Sequence, residues 1–304
     1  MYEKCALCER RCGTNRANGD RGFCKMTNQI YIARADLHMW EEPCISGERG
    51  SGTVFFSGCS LGCVYCQNRS ISRGEVGRLV SVDELADAFL SLKAKGAHNI
   101  NLVTPTHYVP GIKAALDIAK RNGLDIPIVY NTGSYESEEA FLLIKDSVDV
   151  WLPDLKYYKA STAELYSKAK NLPEVSKRLI EWSVSVSGEP KFNDEGIMTR
   201  GVIVRILLLP GHLAEAKLNL KYLYETYGDK IYVSLMSQYT PPENMPKPLD
   251  RRVTLAEYDE LVSYAERLGV KNAFIQERSS ASESFIPDFD CEAPKENSKT
   301  YGQI

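Results

Sequence analysis

At 304 residues, with 43% hydrophobic and 25% charged side chains, the chain can bury a substantial core and is too apolar for wholesale disorder. Its 37 basic and 40 acidic residues leave a net charge of -3, which gives no electrostatic pull toward nucleic acid or an anionic membrane. No apolar leader follows Met1, and the most apolar stretch, 202–209, is short and interrupted by Arg205. The expectation is therefore a cytoplasmic protein with neither a signal peptide nor a membrane span.

The nine cysteines are odd in number and locally clustered, which favours metal ligation in a reducing compartment over disulfides. Cys5-x2-Cys8-x3-Cys12-x11-Cys24 sits on a Gly- and Arg-rich stretch and marks a small N-terminal module, 1–34. Four close thiols can close a tetrahedral zinc site or hold an iron–sulfur cluster, and both readings stay open. The arginines around them lack interleaved aromatics, which argues against a nucleic-acid finger. A connector rich in charge and glycine runs to Ser51, and one α/β body follows over 52–304. Cys44 and Cys291 stand alone and read as small buried hydrophobes.

Strands are expected at 53–57, 100–104, 126–131, 148–152, 202–208, 231–236 and 273–275, where short apolar β-branched runs occur. Helices are expected between them, at 112–121, 137–145, 161–168, 173–182 and 214–227. Ser81 with Glu84 and Thr254 with Glu257 form capping boxes ahead of two further helices. The stretch 183–200 reads as a long loop able to cover a site. Strand–helix alternation of this length implies a parallel sheet. About six βα units suit a partial (β/α)6 TIM-type barrel, and no G-x-G-x-x-G follows a strand to support a dinucleotide fold. Polar residues at successive strand ends, Thr104, Asn131, Asp154, Arg205 and Gln238, would then share one mouth.

Directly after the first of these strands comes Cys59-x3-Cys63-x2-Cys66. Such a loop can wrap three thiolates around three irons of a cubane. No fourth cysteine follows at short range, whereas ferredoxins close every corner with cysteine. The open corner leaves one iron for a small molecule. A closed zinc site and a plain electron carrier are the competing readings.

With Cys59-x3-Cys63-x2-Cys66, the runs Thr104-Pro-Thr-His-Tyr108, Tyr130-Asn-Thr-Gly133, Leu152-Pro-Asp-Leu-Lys156, Leu209-Pro-Gly-His212 and Gln238-Tyr-Thr-Pro241 carry a resemblance over most of the chain. It resembles the radical S-adenosylmethionine (SAM) superfamily, in the branch around pyruvate formate-lyase activating enzyme and its PflX-type members. The resemblance implies a 4Fe–4S cluster on Cys59, Cys63 and Cys66, with SAM chelating the open iron. It places Tyr65 near the adenine, Asn68 after the motif as in the activating enzymes, Lys156 near SAM and Asp154 near a monovalent cation. Arg205 matches an arginine that meets the SAM carboxylate. Thr104 and His107 fall where the family has Gly-Gly-Glu, and Asn131-Thr132 where the activating enzymes have Asp-Thr. His107 reads equally as a pocket residue or a buried, hydrogen-bonded histidine; Gln238, Gln276 and Glu277 are further pocket candidates, and His212 reads as shaping a turn. The implied partners are a low-potential electron donor such as flavodoxin or ferredoxin and a glycyl radical enzyme, with a small metabolite or peptide as the other substrate class.

Overall fold

A computed structural model describes residues 1–276. The expected Glu277 and Cys291 lie outside the described residues. Strands β1 (Ile30–His38), β2 (Ser51–Phe56), β3 (Arg78–Val80), β4 (Ile100–Val103), β5 (Ile128–Thr132) and β6 (Val150–Pro153) come first. They are followed by β7 (Lys191–Phe192), β8 (Met198–Leu207), β9 (Tyr232–Met236) and β10 (Ala273–Ile275). The helices are α1 (Pro43–Ser46), α2 (Arg69–Ser72), α3 (Val82–Ala94), α4 (Val109–Arg121) and α5 (Glu138–Ile144). After them come α6 (Ala160–Ser167), α7 (Leu172–Ser187), α8 (Leu213–Tyr227) and α9 (Leu255–Leu268).

One sheet carries the order β10-β9-β8-β6-β5-β4-β2-β1-β3, with β7 paired to β8 off that path. The run from β10 to β2 is parallel throughout. The antiparallel β1 and β3 extend it beyond β2. Among the described residues the two ends of the sheet do not pair, so the barrel is partial and open. Parallel strands covered on both faces must be apolar along their whole length; every residue of β2 and β6 is buried. Both capping boxes form, starting α3 at Ser81 and α9 at Thr254.

Two stretches differ from the sequence expectation. Residues 30–38, divided there between the module and the connector, form β1. Its register shifts between Ile32 and Arg34, so the buried side changes from Ile30 and Ile32 to Ala33 and Ala35. A strict two-residue period cannot follow such a bulge. The stretch 183–200 is no lid: α7 runs on to Ser187, and β7 pairs back onto the start of β8. That hairpin lies at the N-terminal ends of the parallel strands, opposite the mouth, where Glu195 pairs with Arg49 at 3.1 Å.

The N-terminal cysteine segment shares the main core. Cys5, Leu7, Cys24 and Met26 belong to the same buried cluster as Ile30, Phe56 and Tyr108. Backbone bonds from Glu9 N–H to Tyr135 O (3.1 Å) and Ser137 N–H to Leu7 O (3.3 Å) fasten it to the loop after β5.

Candidate active site

The C-terminal tips of the strands are joined in order. Thr104 N–H donates to Asn131 O at 2.9 Å, Asp154 N–H to Thr132 O at 3.0 Å, and Leu155 N–H to Arg205 O at 2.9 Å. Above them opens a cavity of about 510 Å³, within the usual range for a small-molecule site. Cys59, Cys63, Cys66, Asn68, Thr104, Asn131, Asp154, Lys156, Arg205 and Gln238 all line it. Thr104 has φ 58°, a left-handed conformation costly for a β-branched residue, of the sort retained at functional sites.

The cysteine loop leaves β2 through Gly58, whose φ is 87°. A Cβ there would lie 2.7 Å from the carbonyl oxygen of Cys24, so only glycine fits this exit. The loop is then held from outside. Arg10 donates to the carbonyls of Ser60 (2.9 Å) and Leu61 (3.3 Å), and also to Ser167 O (2.7 Å) at the end of α6. Val64 N–H donates to Tyr166 O at 2.9 Å. Cys63 Sγ lies 2.9 Å from Ser167 Oγ, which is 2.7 Å from the Tyr157 hydroxyl; Tyr157 in turn donates to Tyr65 at 2.8 Å.

Burial pushes the Cys59 thiol up to about 12, and the neighbouring Cys63 adds to the effect. Cys66 is raised by the same two causes in the same order. A cationic core reverses that preference, because thiols that bind metal ionise. Among the described residues no three His, Cys, Asp or Glu side chains stand as a chelate for one ion. A cubane instead spreads its corner ligands over separate irons. Three soft thiols on a cavity wall, one short of closure, therefore fit a cluster with an open corner.

Two charged groups flank the thiols. Lys156 pairs with Asp154; burial works against its charge, but Asp154 and the cysteines outweigh it and hold the ammonium well above its ordinary range. Arg205 sits deeper, donating to Glu42 at 2.6 and 2.8 Å and also to Glu41. Burial opposes its charge too, and the two glutamates overcome it. Glu42 stays ionised although burial favours the acid, because Arg205 faces it. Arg205, which the resemblance matches to an arginine meeting the SAM carboxylate, lines the cavity but has its fork on the protein's own carboxylates.

Two expected site residues turn away from the cavity. Tyr65 is buried among Tyr157, Tyr166 and Tyr239, with ring centroids 6.1–6.4 Å apart, and does not line the cavity. His107 is buried as well, its Nε2 2.7 Å from Ser57 O, and burial pulls its pKa down to about 3. It is the buried histidine of the two readings. Gln276 does line the cavity and holds Gln238 by a 2.9 Å bond. His212 shapes its turn, lying 3.0 Å from the Tyr166 hydroxyl. Cys44 is buried in an apolar cluster, as expected of a small hydrophobe.

Sequence reasoning missed Glu41, Glu42, Ser167, Tyr157 and Arg10. One signal was available: an arginine inside an apolar strand demands a counter-charge, and Glu41-Glu42 is an adjacent acid pair.

Comparison with known proteins follows the same lines. The family model described as the radical SAM superfamily matches residues 53–215. An uncharacterized protein of Methanocaldococcus jannaschii is 30% identical over 278 residues, covering 88% of this chain and 75% of that protein. The structure of SuiB from Streptococcus suis bound to S-adenosylmethionine aligns with TM-score 0.51 at 12% identity, over 74% of this chain and 50% of that one. A radical SAM methyltransferase from Sphaerobacter thermophilus aligns with TM-score 0.52 at 16% identity, over 74% and 66%. The chain thus spans about half the length of SuiB, and at these identities the likeness to the solved structures concerns the fold.

Proposed function

This chain belongs to the radical SAM superfamily, and from that premise we propose that it is an enzyme that cleaves SAM reductively and removes a hydrogen atom from a glycine residue of a partner protein. In this reading Cys59, Cys63 and Cys66 hold a 4Fe–4S cluster. Bound together, the reduced cluster and SAM supply one-electron cleavage to methionine and a 5′-deoxyadenosyl radical, which takes hydrogen from unactivated C–H bonds. A low-potential donor such as flavodoxin or ferredoxin provides the electron.

The chain's own residues orient and shield. Lys156 offsets the negative charge of the thiolates and offers an ammonium to a ligand carboxylate. Asp154, Asn131 and Thr104 put oxygen acceptors on the rim, where a ligand ammonium can be held. Asn68 and Gln238 close the side toward the cysteine loop, and Gln67 donates to Gln238 O at 2.7 Å. Glu41, Glu42 and Arg205 form a fixed, charged floor. Holding a ligand in place turns an encounter into an oriented unimolecular step.

The observation that carries the SAM-cleaving part of this reading is the set of three thiols lining the cavity at the barrel mouth; the glycine substrate rests on the resemblance to the activating enzymes. The polar lining of the same cavity, Lys156, Asp154 and Asn131 among it, favours a second substrate class, a small polar metabolite. Anaerobically reconstituted protein, given SAM and dithionite, should form 5′-deoxyadenosine, and Cys63→Ala should lower that by at least about a hundredfold. Intact SAM with the wild type would dismiss SAM cleavage. A glycyl signal by electron paramagnetic resonance with one of the host's glycyl radical enzymes supports the activating role. Deuterium passing from a labelled small metabolite into 5′-deoxyadenosine selects the second class.

A further inference from the structure

Arg16 has no exposed surface. Its guanidinium donates to the carbonyls of Met26 (3.2 Å), Thr27 (2.5 and 3.2 Å) and His107 (2.7 Å), and to Cys5 Sγ at 3.6 Å. Among the described residues no carboxylate forms a hydrogen bond with it. A buried charge resting on neutral acceptors is costly, and native folds supply a counter-charge. Besides the rings of Tyr2 and Tyr108, whose centroids lie 4.9 and 5.8 Å from it, the groups at hand are the thiols of Cys5 and Cys24.

Cys5, Cys8 and Cys24 are buried and Cys12 lies at the edge. A methyl group on Gly22 would stand 3.3 Å from Cys12 Sγ and 3.6 Å from Cys24 Sγ, so those sulfurs flank one point. Turns fold the three segments together, from Gly13 N–H to Cys5 O (3.0 Å), Arg11 N–H to Cys8 O (2.9 Å) and Lys25 N–H to Gly22 O (2.9 Å). Arg11 and Lys25 take left-handed backbones, φ 41° and 68°, a conformation unfavourable for residues other than glycine.

We propose that Cys5, Cys8, Cys12 and Cys24 bind a metal centre as four thiolates, and that Arg16 is its buried counter-cation. A zinc ion and an oxidised 4Fe–4S core both carry about two positive charges, so four thiolates leave about two negative charges in either case. Arg16 answers that excess directly at Cys5. Among the described residues no three side chains stand as a chelate for one ion, so binding would require the exposed Cys12 to turn inward. The module also reaches the cluster loop. Arg10 ties it to Ser60 and Leu61, and the Cys24 carbonyl stands against Gly58. A filled site therefore braces the loop that carries Cys59. This inference rests on the module's own geometry and stands whether or not the chain cleaves SAM.

The test uses the full-length chain with Cys59, Cys63 and Cys66 all changed to Ala, purified without air, with metals and acid-labile sulfide measured. About one zinc per chain identifies a structural ion; about four irons with four sulfides identify a second cluster. Either result supports the proposal if Cys8→Ser or Cys24→Ser removes the metal. Arg16→Met should weaken metal retention against a chelator by about tenfold or more, while Arg16→Lys retains most of it. Should the serine variants fail to fold, thiol titration of the folded triple-alanine chain decides: a bound centre shields four thiols until chelator is added. Folded protein that stays metal-free after anaerobic purification and reconstitution, thiols whose reactivity chelator does not change, or metal that survives Cys8→Ser would overturn the assignment.

Discussion

Cys63 stands at the end of a chain of hydroxyls, Ser167, Tyr157 and Tyr65, spaced 2.7–2.9 Å apart. A hydroxyl facing a cluster sulfur stabilises the more negative, reduced state and raises the reduction potential. Ser167→Ala removes the first link while leaving all three thiols in place. We expect the 4Fe–4S potential to fall by on the order of tens of millivolts with iron content unchanged, read by a redox titration followed by electron paramagnetic resonance. An unmoved potential would leave Ser167 a packing residue only. At this scale residue type and strand position marked the cavity lining better than they marked the direction of each side chain. The thiols, Asp154, Lys156 and Gln238 reach the cavity because strand tips aim them there. Tyr65 and His107 sit inside the same motifs yet turn into the protein, because neighbours from distant segments offer their polar atoms better partners.

Helix α6 is positioned by a residue of another helix. Glu215, on α8, accepts from Tyr158 N–H (3.1 Å), Lys159 N–H (3.0 Å) and Thr162 Oγ (2.6 Å), capping the start of α6 from outside. Burial would raise its pKa, but His212, Thr162 and those amides together bring it from 4.5 to about 2. The folded value is thus below the unfolded one. The stabilisation is fully present above about pH 4.5 and is lost as pH falls toward 2. Glu215→Gln should cost roughly 1–3 kcal/mol at pH 7 and narrow its gap to wild type as pH drops below 4.5, measured by urea unfolding at stepped pH. A gap that stays constant down to pH 3 would mean the carboxylate charge is not what caps α6. Because α6 delivers Tyr166 and Ser167 to the cysteine loop, acid should loosen that loop as well. No local pattern announces this cap, since its donor and acceptor lie more than fifty residues apart. Strands β2, β4, β5, β6, β8, β9 and β10 were legible because continuous apolar runs mark buried parallel strands. The bulged β1 was not, because its buried face switches midway.

At the level of the whole molecule, alternation of strand and helix revealed a partial barrel, and the place of Cys59, Cys63 and Cys66 just after a strand pointed to the end that holds the candidate site. What the sequence could not show is that the cysteine module and the barrel are packed as one body. Leu7, 1% exposed, lies in the same core cluster as Ile30, Ile112 and Tyr130. Trp151, fully buried, reports on the barrel interior through its contacts with Tyr130 and Phe141, at centroid distances of 5.0 and 5.2 Å. Truncating a buried leucine costs about 2–5 kcal/mol. If the core is continuous, Leu7→Ala must shift the unfolding of the entire chain, including the signal from Trp151. We expect coincident urea transitions by far-ultraviolet circular dichroism and by fluorescence of a chain retaining Trp151 as its single tryptophan, both displaced to lower urea by the substitution. A fluorescence transition that stays put while a smaller dichroism change moves ahead of it would instead make the module a separately folding appendage. Its bonds to Ser60 and Leu61 would then be too weak to hold the loop that presents Cys59.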